Sequence, residues 1–432
     1  MRHTYAVCFI IRTACPIAIF VASFAIVLLG YEYARLYPPP EPFQLRTSAS
    51  AHSMTAWDGQ WYARIATDGY FYSNTEQSSI AFFPAYPLLA RILMTLGLSA
   101  SSALLLLSNG FFLCSLLLLP LYLEARRVNI TNSRIKCYTV LTIALWPTAF
   151  FFHVGYSESM LLFLSLLVLY GIARHWSFVT IAIIVGGATA TRAVGVALLL
   201  PFSMYIWSGS SVQACEGNTG AGGYESAAGI SGKRNEAQRF TGRLARSIIA
   251  LPIAIWGLLG FLIFQQCRFH DPFAFSKAQL TWHSRSDLPT VGGSIMALAS
   301  LEPVRAVYSS QSPCSWRVHA PHDEALLNMD FANPILFLGT AALLCLGAMK
   351  GWLARNEWTW GALVLAIPYA MQSYRMCMMS HGRFALVVFP AYIVVGHLLG
   401  RLPTLVVCYI VTCSGLLMTA YTVLFTSWYP LF

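Results

Sequence analysis

The sequence predicts an all-helical, polytopic membrane protein on three observations. Hydrophobic residues make up 57% of the 432 residues and charged residues only 10%, against about 25% charged in a typical soluble domain. Mean hydropathy is +0.61. Apolar blocks recur along the whole chain, most of them near the ~20 residues that cross a bilayer as a helix. An ordinary water-soluble enzyme, a secreted disulfide scaffold and a disordered chain are excluded on these grounds.

The first apolar run, about 9–30, follows Arg2. It is longer than the core of a signal peptide and reads as an uncleaved span, although Arg12 and Pro16 make its start irregular. Further spans are expected at about 99–123, 137–152, 157–173, 178–190, 196–207, 248–266, 331–349, 359–374, 384–399 and 402–427, about eleven in all. Residues 178–207 could instead form one long tilted helix. Segment 80–98 is apolar but carries Pro84 and Pro87. It reads as re-entrant or interfacial, with no regular helix before Leu88. A helix with proline in its first turn is the alternative. No internal repeat is evident.

Lys and Arg exceed Asp and Glu by 27 to 17. Basic cytoplasmic loops account for this surplus, and nucleic acid is not an expected partner, since no basic stripe interleaves with aromatics on a soluble module. Loop 124–136 carries Arg126, Arg127, Arg134 and Lys136. Loop 208–247 carries Lys233, Arg234, Arg239, Arg243 and Arg246 around a Gly/Ser/Ala-rich middle, so it reads as a flexible basic cytoplasmic loop. The opposite, lumenal or periplasmic face then collects a first large loop, 31–98, a second, 267–330, and short loops near 153–156, 191–195 and 375–383. Ionisable residues gathered at one membrane face point to a site. Of the eleven cysteines none form C-x-x-C, which leaves a zinc ribbon or thioredoxin-like motif unsupported. Most read as apolar packing. Cys267 and Cys314 flank one polar loop, where a bridge in an oxidising compartment stands beside two free thiols as the reading.

Five stretches carry candidate chemistry. In Trp57-Asp58-Gly59-Gln60-Trp61-Tyr62, a carboxylate sits between rings near the membrane. It suits a general base, with the aromatics stacking on a sugar; the plain alternative is an anchored loop with Asp58 as a helix N-cap. Trp146-Pro147-Thr148-Ala149-Phe150-Phe151-Phe152 leads to Tyr156 and Glu158, where Glu158 could cap its helix, hold an acceptor hydroxyl or hold an arginine. Arg192, at a break between apolar stretches, needs an anion: a lipid phosphate, or else Asp58 or Glu158. His270, Lys277 and Arg285 could neutralise a phosphate or belong to an ordinary interfacial helix. Arg383, in His381-Gly382-Arg383-Phe384, either snorkels or binds phosphate. There is no D-x-D, no Walker lysine loop and no G-x-G-x-x-G, so no metal or other cofactor is expected and any donor should be membrane-soluble. His319, His322 and Asp323 read as a solvated cluster rather than zinc ligands.

In order along the chain, WDGQWY with IA..GY, AFFPAYPLL, LWPTAFFFHVGYSES, TRAVG and HDPFAFSKAQ..W resemble the PIG-V family, the GPI mannosyltransferase II family with its bacterial and archaeal relatives. The resemblance runs from about residue 56 to the C-terminus and is patchy in 208–247 and 290–330. Gly382-Arg383-Phe384 departs from the Arg-Tyr pair of the family pattern. The resemblance implies a single GT-C glycosyltransferase domain over 1–432 with an enlarged first lumenal or periplasmic loop. It implies a polyprenyl (dolichyl)-phosphate-mannose donor, a glycolipid acceptor and an α-linked product, as in addition of the second (α-1,6) mannose of the GPI anchor precursor. The family's catalytic aspartate corresponds to Asp58.

The expectation is therefore a mannosyltransferase of the ER membrane, or of the plasma membrane in a prokaryote, with its site on the lumenal or periplasmic side. Asp58 is the expected catalytic base, and Trp57, Trp61, Tyr62, Tyr156 and Glu158 are the expected substrate contacts. Arg192, His270, Lys277, Arg285 and Arg383 are expected around the donor phosphate. A small membrane partner subunit is an open option. Alternatives are another GT-C transferase acting on a cell-wall glycan or protein, a flippase of lipid-linked saccharides, and a non-catalytic subunit. The topology predicts that the acceptor pattern Asn129-Ile130-Thr131, on the basic side, stays unmodified when the protein is expressed in a glycosylating host. A glycan at Asn129, detected by a glycosidase-sensitive gel shift, would reverse the orientation.

Overall fold

The computed structural model describes residues 10–37, 51–73, 75–126, 128, 130–208, 228–282, 285–286, 290–318 and 325–429. The described residues form helices joined by turns, with no strand among them. The long apolar helices are α1 (Cys15–Leu36), α4 (Ala100–Ala125), α14 (Met329–Met349) and α18 (Thr404–Thr426). These four are long and apolar enough to cross a membrane, and a pair bent by 51°, Phe240–Ala254 with Trp256–Phe269, makes a fifth. The protein is an integral membrane protein. Between them come α2 (Asp58–Asp68), α3 (Ala85–Met94), α5 (Ser133–Ala144), α6 (Glu158–Ala173), α7 (Phe178–Thr191) and α8 (Leu199–Ser208). After them run α9 (Ala228–Ala254), α10 (Trp256–Phe269), the short α11 (Ala274–Ala278), α12 (Val291–Ala299) and α13 (Glu302–Tyr308). Helices α15 (Arg355–Gln372), α16 (His381–Leu386) and α17 (Phe389–Leu399) complete the set.

Helix ends follow local chemistry. Ser99, Asn132, Ser177 and Asn328 each cap the helix that follows by accepting a backbone N–H, which satisfies donors that have no intrahelical partner. Helix α3 begins at Ala85, three residues earlier than the prolines suggested. Pro87 falls in its first turn, where a missing N–H costs nothing. The expected span 137–152 stops at Ala144, because Trp146-Pro147 cannot continue a helix; a 3₁₀ turn, Ala149–Phe152, follows. Residues 178–207 are not one helix: α7 ends at Thr191, and Arg192 is extended. Helix α9 starts at Ala228, inside the stretch read as a flexible loop. Residues 209–227, Asn129, His319, His322 and Asp323 lie outside the described residues.

Helix α4 packs on α6, α5 on α17, α1 on α18, and α7 on α6, α9 and α10. The aromatic centre comprises Phe112, Phe150, Phe151, Phe152, Tyr156, Phe389 and Phe425, all fully buried. Charges divide between the two ends of the bundle. At one end Arg12 and Lys136 both reach Glu124. There too Arg126 is no free loop cation. It is buried, and its Nε and Nη2 donate to Glu357 at 2.7 and 2.5 Å, with Nη2 also reaching the Trp352 carbonyl. Tyr122 donates to the same carboxylate. The other charged cluster, at the opposite ends of α4 and α15, is the candidate site. Since Glu357 and Arg126 are 0% and 1% exposed, Glu357→Gln should strand a buried guanidinium and cost about 3–5 kcal/mol. Thermal unfolding in detergent measures this, and an unchanged midpoint would contradict the buried pair.

Candidate functional site

The site begins with a strained turn. Trp57 has φ 57° and ψ −120°, a conformation that a bulky residue adopts only when its surroundings impose it, at about 1–3 kcal/mol. The surroundings are visible. The Trp57 ring packs against Trp428, with centroids 5.7 Å apart. The Gly155 N–H donates to the Met54 carbonyl at 3.0 Å, and a Cβ at Gly155 would lie 2.6 Å from Thr55 Cγ2. Glycine is required there for the two segments to meet. Asp58 thereby becomes the first residue of α2 rather than its N-cap, and its N–H donates to the Tyr156 hydroxyl at 3.2 Å.

Four charges then alternate across the site. Arg383 Nη1 donates to Asp58 Oδ2 at 2.6 Å. Arg383 Nε lies 3.1 Å from Glu158 Oε1. The same Glu158 oxygen accepts from Arg192 Nη1 at 2.5 Å. Glu158 is 1% exposed, and its Oε2 has no hydrogen-bond partner among the described residues. Three elements distant in sequence, α6, the break after α7 and α16, thus converge on one carboxylate. Rings surround the cations: Arg383 lies 5.3 Å from the Tyr156 centroid, and Arg192 lies 5.6 Å from that of Phe384. Tyr62 and Ser157 share a hydrogen bond of 2.8 Å. Burial pushes the Tyr62 phenol up to about 12, so it stays neutral.

This string of charges lies along a cavity of about 1140 Å³, above the ~300–1000 Å³ of a single-ligand pocket and roomy enough for two substrates. Trp57, Asp58, Trp61, Tyr62, Arg192, Lys277 and Arg383 line it. Tyr156 and Glu158 sit behind its wall. His270 and Arg285 are not among its lining residues. His270 is the left-handed cap that ends α10, and Arg285 is held by Glu302 at 3.0 Å and lies over the Tyr374 ring. Lys277 reaches the cavity while paired with Asp271 at 2.6 Å. That hydrogen bond holds the Asp271 carboxyl below its usual range and raises the Lys277 ammonium.

Further residues complete the lining. Arg64 and Arg375 add two cations, and Gln60, Gln77, Gln279 and Gln372 add amides. Arg64 was legible: with Trp57, Gln60 and Trp61 it repeats at i, i+3, i+4 and i+7, one face of a helix, while Ile65 and Ala66 are buried away from the cavity. Trp428, brought in from the chain's far end, left no local signal. Trp282 Nε1 is a buried donor with no protein acceptor among the described residues, and its ring stands edge-on to Trp61. No group of three or more His, Cys, Asp or Glu able to hold a metal occurs among the described residues.

The wall segment before α16 is held in shape covalently. Cys377, Met378 and Ser380 all have positive φ, and Cys377 is bonded to Cys314. The bridge therefore differs from the Cys267–Cys314 option: Cys267, at the end of α10, is exposed and free. Cys267 and Cys314 flank one loop in sequence, but folding instead brings Cys377, 63 residues away, to Cys314.

No family model matches the sequence, and no curated protein matches it. Among solved structures, the chain is similar to the oligosaccharyltransferase of Archaeoglobus fulgidus in complex with Zn and sulfate, with TM-score 0.43, 12% identity, and 94% of this chain and 53% of that one covered. The apo form of that enzyme gives TM-score 0.42 and 14% identity over 96% and 56% of the two chains. The archaeal oligosaccharyltransferase AglB from the same organism, in complex with an inhibitory peptide and a dolichol-phosphate, gives 0.40 and 12% over 95% and 55%. The chain spans about half the length of the chains it matches.

Peptide mapping without reduction should recover Cys314 linked to Cys377 and Cys267 alkylated. A Cys267–Cys314 peptide would contradict the wall described above.

Proposed function

We propose that this chain is a GT-C-type membrane glycosyltransferase of the PIG-V kind, which moves mannose from a polyprenyl-phosphate-mannose to a glycolipid acceptor. The observation that carries the reading is Asp58. Among the described residues it is the one acid lining a large cavity that also presents Arg64, Arg192, Lys277, Arg375 and Arg383. One carboxylate among cations is what inverting transfer from a phosphate-linked sugar needs: a base for the incoming hydroxyl and positive charge for the leaving group. Tryptophans and amides on the same wall suit a sugar, through stacking on its apolar face and hydrogen bonds to its hydroxyls.

Asp58 Oδ2 is engaged by Arg383, and Oδ1 has no protein hydrogen bond among the described residues. In the proposed reaction Oδ1 accepts the proton of the acceptor hydroxyl. The oxygen bonds to the anomeric carbon from the face opposite the phosphate. The bond from that carbon to the phosphate oxygen breaks, and its electron pair leaves with the lipid phosphate. A β-linked donor thus gives an α-linked product through an oxocarbenium-like transition state. Arg192 and Arg383, with Lys277 at the cavity wall, meet the charge that develops on the phosphate. The Cys314–Cys377 bridge beside the cavity supports an oxidising, lumenal or periplasmic location for this face.

Membranes containing the wild type should transfer labelled mannose from synthetic polyprenyl-phosphate-mannose to a lipid acceptor. Asp58→Asn at matched protein level should lose about 10²–10⁴ of that rate. Equal transfer by both proteins would remove Asp58 as the base. No transfer by the wild type, across hexose and pentose donors, would overturn the enzymatic reading.

A further inference from the structure

In the structure the proposed base is already occupied. Arg383 spans two carboxylates, with Nη1 2.6 Å from Asp58 Oδ2 and Nε 3.1 Å from Glu158 Oε1. Glu158 is the fixed end of this arrangement. It is 1% exposed, begins α6 and is also held by Arg192. Asp58 is the exchangeable end, with a side chain 21% exposed on the cavity wall. Asp58, Arg383, Glu158 and Arg192 carry two negative and two positive charges, so the string is neutral and has no surplus cation reserved for a substrate. An anion that engages this string, rather than Arg64 or Arg375 elsewhere on the lining, must compete for a guanidinium already in use. The competitor it meets is Asp58, because Glu158 lies behind the wall.

We infer that Arg383 is a substrate-exchanged latch: it pairs with Asp58 as the structure shows, and an incoming phosphate takes its Nη1, which releases the Asp58 carboxylate toward the acceptor. The inference rests on the lipid-phosphate reading given above. The buried Glu158 carboxylate, 3.1 Å from Nε, holds the guanidinium by charge while its other end changes partner, so the motion required is small. The planar fork of arginine, with donors pointing in different directions, allows one side chain to serve both carboxylates and then a carboxylate and a phosphate. The exchange makes base release conditional on donor binding, so the donor binds before the acceptor is deprotonated.

A binding measurement separates this latch from a permanent Asp58–Arg383 clamp. The probes are farnesyl phosphate, to represent the leaving lipid, and inorganic phosphate, to separate head-group recognition from that of the chain. Titration calorimetry in detergent would compare wild type, Asp58→Asn, Arg383→Gln and the double variant, each checked for a monodisperse profile. If Arg383 must leave Asp58 to bind phosphate, Asp58→Asn should bind farnesyl phosphate about tenfold tighter than wild type or more, and Arg383→Gln about tenfold weaker or worse. Relief of simple charge repulsion would also tighten Asp58→Asn, but that gain would persist when Arg383 is absent. The latch requires the gain to vanish in the double variant. Arg383→Lys, which keeps the charge, should retain part of it and covers the case in which Arg383→Gln fails to fold. A gain that survives in the double variant, or no gain at all, overturns the latch and leaves the transferase reading standing. Failure of wild type and every variant to bind farnesyl phosphate overturns both. Equal gains with inorganic and farnesyl phosphate would assign the exchange to the head group; a gain with farnesyl phosphate alone would add a lipid-chain contact to it.

Discussion

A single carboxylate oxygen shared by two guanidiniums is the constraint on which the site depends. Glu158 Oε1 accepts from Arg192 and lies against Arg383 in surroundings where an isolated charge would cost several kcal/mol. Much of the local architecture follows. Helix α7 stops at Thr191 so that Arg192 can turn toward Glu158 instead of continuing the spiral. Helix α16 is brought to the same point from nearly two hundred residues further along, and its arginine carries the network on to Asp58. Without Glu158, two cations would lie beside each other among Phe151, Tyr156 and Phe384 with half their counter-charge.

Around that network the apolar interior acts as a mould. The run Ala149–Phe152 is wholly buried as a 3₁₀ turn. It delivers Tyr156 beneath Asp58 and sets Glu158 at the start of α6. The strain at Trp57 is sustained by Trp428 on one side and by the close approach at Gly155 on the other. Order at the carboxylate therefore originates in packing contacts from segments far apart in sequence.

Much of this was legible in the sequence. The helical membrane class follows from composition. Asp58, Glu158 and Arg192 stood out as polar residues at the margins of apolar runs, and an arginine–glutamate pair was one of the partners that Arg192 required. The identity of the partner for Arg383 was not legible, because pairing across more than three hundred residues has no periodicity to reveal it. The same holds for Cys314 with Cys377. His270 and Arg285 resembled Lys277 as basic residues in one loop, yet only Lys277 reaches the cavity. One is spent on ending a helix and the other on Glu302. Residue type and neighbourhood gave three equivalent candidates, and only three-dimensional placement separates them. Helix ends diverged where proline could be absorbed, as in α3, or could not, as after α5.

The bridge between Cys314 and Cys377 has a bearing on how the protein matures. Its two cysteines are 63 residues apart, and helices α14 and α15 both lie between them. The link can form only after both helices have been made and have brought the chain back to Cys314. Until then the segment bearing Met379, Ser380 and Arg383 has no covalent tether. The tethered cavity wall is thus a late product of folding, tied to the oxidation of one pair of thiols. A chain whose two thiols stay reduced would have the aspartate but not the tethered wall near it.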